Sequence, residues 1–224
     1  MQLAAVLLAR VLLFVESFDL NPRGVAHYPD IVQGLVEKCG FLKFPRALED
    51  FDEDKGVEFL SGKWGNVTIE AAKIYRNGIL LDTRVSTAES ERILKEMLTW
   101  AVSTFGLMYE PKMISRSRYL SNLTFYSESP ILSGTNSPVS RLAHRVSAVF
   151  AETSGIQKPW DATALSFHVE HTDGKPFFAP FTIQRRAEAA FSENKYFSEA
   201  PFPTDIHISL IEQLETDVIA STRG

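Results

Sequence analysis

The chain has 224 residues, 45% of them hydrophobic and 11% aromatic, with a formal net charge of -5. That length and apolar content support a well-buried core and exclude disorder as the resting state. The acidic balance excludes nucleic acid or an anionic membrane as the expected partner, because phosphate binding needs clustered positive charge. A single cysteine, Cys39, rules out a disulfide within the chain and, with no export signal recognised, predicts a cytoplasmic protein.

The opening MQLAAVLLARVLLFVES lacks a basic n-region and a small-x-small cleavage site. Arg10 splits its apolar run, which is shorter than the roughly 20 residues a bilayer span needs. It is expected to be a core element rather than a membrane anchor. Val11 to Val15 suits a central strand, while the Ala/Leu-rich residues before it fit either strand or helix. The sequons at Asn66 and Asn122 matter only in a secreted chain and are set aside.

Asn21, Pro22 and Gly24 mark a turn, and a helix follows that Pro29 opens and Gly40 closes, with Ile31, Val32, Leu35, Val36 and Cys39 on its apolar face. Arg23 and His27 precede that helix, where N–H groups and the helix dipole favour an anion. They are a candidate anion site, against the plainer reading in which Asp30 complements the dipole. Cys39 lies on the apolar stripe at the end of the helix, with neither an activating dipole nor exposure, so its thiol is expected to be inert. LEDFDEDKGVE reads as an acidic, solvated loop without the ligand spacing of an EF-hand, and no metal is expected there.

In NVTIEAAKIYRNGILLDTRV, Asn77-Gly78 separates two strand-like runs and predicts a hairpin with a type I′ turn. Ser86 and Glu89 then form a capping-box signature, and Ile93, Leu94, Met97, Leu98, Ala101, Val102 and Phe105 recur at helical spacing up to Gly106. A strand from about Arg118 to Ser127 places Tyr119, Leu123 and Phe125 on one core face. Arg116 and Arg118 beside these aromatics superficially fit a single-stranded nucleic-acid surface, which the overall charge argues against. The loop SPILSGTNSP leads to a helix with Pro138 in its first turn and Val139, Leu142, Ala143, Val146, Val149 and Phe150 as its apolar face.

TALSFHVEH and FFAPFTIQ flank the turn pair Asp173-Gly174 and predict a second hairpin. FSENKYFSEAPFPTD reads as irregular and Phe-rich. IHISLIEQL reads as a last strand with Ile206, Ile208 and Leu210 on one face. The order of elements predicts a single α+β domain over residues 1–224, a mostly antiparallel sheet of hairpins with about three helices packed on it. Its aromatic-rich segment, about 187–224, is expected to pack on the domain or on a partner.

On a strand His168 and Glu170 share a face, and His207 from the last strand can join them if the strands are neighbours. That His, Glu, His set is the candidate for metal or acid/base chemistry. The plainer reading is a solvent-facing strand with polar residues alternating with Phe167 and Val169. The spacing does not match a zincin helix, and the chain has no phosphate loop, dinucleotide fingerprint, nucleophile elbow or CxxC pair, so no cofactor is expected. The surplus of aromatics is more informative, because a loop buries little without stranding backbone groups. Phe191, Tyr196, Phe197 and Phe202 are therefore interface candidates.

Three functions follow as expectations. The first is a non-enzymatic assembly or adaptor protein acting through a protein partner or as a homo-oligomer. The second is a metal- or histidine-dependent hydrolase using the strand histidines. The third is a small-ligand sensor with a pocket between sheet and helix.

Overall fold

The computed structural model describes residues 1–133, 137–170 and 179–223. Among these are eight strands and five helices. The strands are β1 (Gln2–Phe14), β2 (Val57–Trp64), β3 (Val67–Tyr75), β4 (Gly78–Thr83), β5 (Arg116–Tyr126), β6 (Ala164–Phe167), β7 (Phe181–Arg185) and β8 (Lys195–Ala200). The helices are α1 (Ser17–Leu20), α2 (Tyr28–Cys39), α3 (Thr87–Phe105), α4 (Ser137–Ser154) and α5 (Thr204–Arg223). The sheet order is β2-β3-β4-β1-β5-β8-β7-β6. The pairs β1–β4, β2–β3, β3–β4, β6–β7 and β7–β8 are antiparallel. The fold is α+β as its sequence pattern predicts, with five helices in place of three.

By density of internal contacts the chain divides into two compact bodies. One is Val6–Ser121 with Phe202–Thr204, and the other is Met1–Ala5, Asn122–Pro201 and Asp205–Gly224. They are called below the N-terminal and C-terminal bodies.

In the N-terminal body the expected elements form for the expected reasons. β1 is strand along its whole length, with Ala9, Val11 and Leu13 buried on alternate positions. Arg10 faces the other way and sits opposite Asp82 in the β1–β4 register. Its guanidinium donates Nε–H to Asp82 Oδ1 and Nη2–H to Oδ2, both at 2.7 Å. The charge that interrupts the apolar run is thus matched by the one acid in β4.

α2 starts with Pro29 in its first turn and ends at Gly40, whose φ of 64° is the left-handed conformation that glycine adopts at no steric cost. α3 begins at Ser86, whose hydroxyl accepts the Glu89 N–H at 3.1 Å. The Glu89 carboxylate turns to Arg92 rather than back to Ser86, so only one half of the capping box forms. Ile31, Val32 and Leu35 from α2, Ile93, Leu94 and Met97 from α3, and Val57, Phe59, Ile69 and Leu81 from the strands make one apolar cluster. Each such side chain contributes about 1.5–3 kcal/mol when fully buried.

The hairpin between β3 and β4 is present, but its turn differs from expectation. Tyr75 pairs with Gly78, so Arg76 and Asn77 form the loop, and no residue from Arg76 to Gly78 has a positive φ. A type I′ turn centred on Asn77-Gly78 is therefore not used. β2 is a strand that the acidic stretch before it obscured. It buries Val57 and Phe59 and joins β3 through Gly65, at φ 57°.

In the C-terminal body β5 places Leu123 and Phe125 in the core, and Phe125 stacks on Tyr196 of β8 at 5.5 Å. Two segments depart from the sequence reading. FSENKYFSEA is not irregular throughout: β8 alternates strictly, with Tyr196, Ser198 and Ala200 buried. Small Ser and Ala on the buried parity hid the strand from a search for apolar alternation. IHISLIEQL is helix rather than strand. The face of α5 that is buried runs through His207, Ile211, Glu215 and Val218, while Ile206 and Leu210 are exposed. Two of those four buried residues are polar, so the helical stripe was invisible to hydrophobicity and the accidental alternation of Ile206, Ile208 and Leu210 prevailed. β6 and β7 pair as the second hairpin requires, from Ala164–Gln184 to Phe167–Phe181. The Asp173-Gly174 pair, His171, Phe177 and Phe178 lie outside the described residues.

Candidate functional site

The polar candidates occupy unlike environments. β6 ends at Phe167, so His168 and Glu170 lie beyond the strand whose parity was to align them. Both are exposed, and His168 Nε2 shares a hydrogen bond of 2.9 Å with Ser166 Oγ. His207 is fully buried on α5, with its ring 5.7 Å from that of Phe181. Among the described residues no group of three or more His, Cys, Asp or Glu is placed to hold a metal ion.

The hydrogen bonds of His207 fix its protonation. Ser198 Oγ donates its single proton to the Thr182 carbonyl at 2.6 Å, so its bond of 2.7 Å with His207 Nε2 has the ring nitrogen as donor. In that tautomer Nε2 has no lone pair for a metal or a substrate proton. Burial disfavours the imidazolium and lowers the His207 pKa from 6.5 to about 4. His207 is a neutral structural link between α5, β8 and β7.

A second buried polar centre, at Arg185 of β7, has no counterpart in the sequence reading. Its Nη2 donates to Asp161 Oδ2 at 3.0 Å and to Ser133 Oγ at 3.2 Å, and its Nη1 to the Phe191 carbonyl at 3.1 Å. Ser133 in turn donates to Asp161 Oδ2 at 2.5 Å. The guanidinium also lies 4.6 Å from the Phe191 ring and 5.4 Å from Tyr196. A planar cation that both forks and stacks is what such a junction needs, and Lys cannot replace it.

This centre bears on the aromatic interface candidates. Tyr196 is fully buried and stacked on Phe125, a core residue, which corrects its expected place at an interface. Phe191 is half-exposed with one face on Arg185. Phe197 is half-buried on the opposite parity of β8, and Phe202 keeps 38% of its surface exposed.

The larger apolar surface lies on α4. The residues expected to bury its stripe leave it open: Val139 is 44%, Leu142 60% and Val149 57% exposed. No described side chain of α4 is fully buried. The chain after α4 folds back on it, with Trp160 N–H donating to Ser147 Oγ at 2.8 Å and its ring edge-on to Phe150 at 5.3 Å. Trp160 and Ile156 nevertheless stay about half exposed, as do Phe167 at the end of the edge strand β6 and Val169 after it. A helical stripe reads identically whether it faces core or solvent, so its sequence did not reveal this.

In the loop before α2, Arg23 and His27 are exposed, and the loop is closed by Asn21, whose amide bonds the Ala26 carbonyl and N–H. Asp30 occupies the first turn of α2, where its carboxylate complements the dipole. Cys39 is buried, and burial pushes its thiol up to about 11. Arg116 and Arg118 lie over the Phe14 ring at 4.0 and 5.6 Å. No helix among the described residues is long and apolar enough to cross a membrane. Compared with known proteins, the chain matches no protein-family model, and no curated protein matches it.

Proposed function

We propose that the protein is a non-enzymatic assembly or adaptor protein that works by protein–protein contact, with the apolar face of α4 as its contact surface. The observation that carries this reading is the amphipathic 18-residue helix whose Val139, Leu142 and Val149 are exposed. A free monomer tends to avoid such contiguous apolar area, which gains by being covered. Trp160, edge-on to Phe150 of the same helix and about half exposed, extends the patch with an aromatic group of the kind that anchors interfaces. Arg141, His144 and Arg145 on the same helix are exposed and give it a basic flank suited to an acidic rim on the partner, including the acidic surface of a second copy.

Light scattering on the untagged chain, alone and in extract from its native source, tests the reading. The expected result is a mass that is a multiple of 25.1 kDa, or a protein that co-purifies. The double variant Leu142→Ser, Val149→Ser should reduce the mass to one chain or release the partner with an unchanged circular dichroism spectrum, because exposed positions tolerate substitution within about 0.5 kcal/mol. A monomer without a partner, or an assembly indifferent to both substitutions, overturns it.

A further inference from the structure

The N-terminal body contains a cavity of about 290 Å³ between α1, α2, α3 and the β2–β4 strands. Its wall is almost wholly apolar, built from residues such as Leu35, Ile74, Leu94 and Met97. Protein interiors pack with few voids larger than a water molecule, and an apolar void is destabilising in proportion to its volume. An apolar cavity of about 150 Å³ accepts benzene, so this one has room for about a dozen non-hydrogen atoms.

One end of the cavity is polar. The Tyr28 hydroxyl is shielded from solvent and has no hydrogen-bond partner among the described residues. Burial and the nearby Glu53 carboxylate, in that order, push it well above the usual tyrosine range, so it is a neutral donor at any physiological pH. Glu53 lines the same end and accepts a bond of 2.9 Å from Ser17 Oγ. A buried donor without a partner is costly, and a ligand that supplies the acceptor removes that cost. Tyr28 and Glu53 also line a shallower outer recess with Asp52 and Arg76, which leads the polar end outward.

We propose that this cavity is a binding site for an apolar molecule of about a dozen non-hydrogen atoms that ends in a hydroxyl or amino group. The hydroxyl accepts from Tyr28 and donates to Glu53, and an amine does the same or carries a charge that Glu53 stabilises. A carboxylate head is disfavoured, since it would meet Glu53 and Asp52 with like charge. The site is independent of the α4 face.

Fluorescence of 1-naphthylamine, whose eleven non-hydrogen atoms fit the cavity, tests this with the full chain, with 1-decanol, decylamine and decanoate as competitors. Saturable enhancement at one site is expected, with decanol and decylamine displacing the probe at concentrations at least tenfold below decanoate. Ala101→Trp, which fills the cavity from α3, should weaken probe binding at least tenfold. The variant Leu142→Ser, Val149→Ser should bind the probe as the wild type does. Tyr28→Phe should retain the probe and the fold while reducing the preference for decanol over decanoate to threefold or less, and it decides the matter alone if Ala101→Trp does not fold. The proposal is overturned by no saturable enhancement, by decanoate competing as well as decanol, by a preference unmoved in Tyr28→Phe, by unchanged probe binding in a folded Ala101→Trp, or by loss of the probe in the α4 variant.

Discussion

Arg10 and Asp82 illustrate how a single pair reconciles an apolar strand with its charges. The Asp82 side chain is 8% exposed and the Arg10 side chain 39%, so the carboxylate has given up water that the guanidinium has partly kept. Removing Arg10 leaves a buried acid with its two bonds unmade. Arg10→Ala should therefore cost about 3 kcal/mol, the lower end for a broken buried pair because the arginine is partly solvated. Arg10→Leu with Asp82→Leu should recover most of that loss in urea denaturation, since apolar replacements of a buried pair are often neutral. A double variant no better than Arg10→Ala would show that packing, not the stranded charge, sets the cost. Cys39 offers a second test at this scale. With its thiol at about 11, the thiolate fraction at pH 8 is lower by about a hundredfold or more than for an ordinary cysteine. A chromogenic disulfide reagent should react at that slowed rate with the native chain and at the ordinary rate in denaturant.

Among the elements, those with both an edge signal and an apolar stripe were legible in the sequence. α2 carried Pro29, which sits in its first turn, and Gly40, its C-cap, and α3 carried Ser86 and Gly106, its two caps. Ser86→Ala should cost about 1 kcal/mol, the usual value of a lost N-cap. Glu89→Gln should cost less, because its carboxylate serves Arg92 and not the cap; equal losses in thermal melts would argue that the reciprocal bond forms in solution. β8 and α5 were illegible because their buried positions hold Ser198, His207 and Glu215, polar groups whose partners come from other elements. A cue for α5 was present in Pro203 followed by the 20 residues Thr204–Arg223, which contain neither glycine nor proline. The candidate site suffered more than the fold. Its geometry rested on two strands, one of which ends at Phe167 and the other of which is helix. The cavity beside Tyr28 draws on residues from Ser17 to Leu107, and no local pattern announces a void.

At the scale of the whole molecule, acid separates the buried imidazole from the carboxylates. His207 takes up a proton near pH 6.5 when unfolded and only near pH 4 when folded. Between those values the unfolded chain binds more protons, so stability falls as the pH is lowered through the window, by about 2.5 kcal/mol at pH 4.5. The acids behave differently. Burial pushes Glu215 up, but bonds from the Met1 ammonium, Ser127 Oγ and the Glu128 N–H outweigh it and hold the carboxyl below its ordinary value of 4.5. Its contribution is complete above that pH and is lost below it. Arg92 holds Glu89 low in the same direction, and at Glu91 burial pushes up but the bonds from Lys95 and Tyr119 outweigh it. Urea denaturation from pH 7 to 4.5 therefore isolates the histidine. The variant His207→Gln keeps an amide donor for Ser198 and does not titrate, so it should start from lower stability and change little across the window while the wild type declines. If both decline in parallel, the protons are taken up elsewhere and His207 is already solvated in the folded chain.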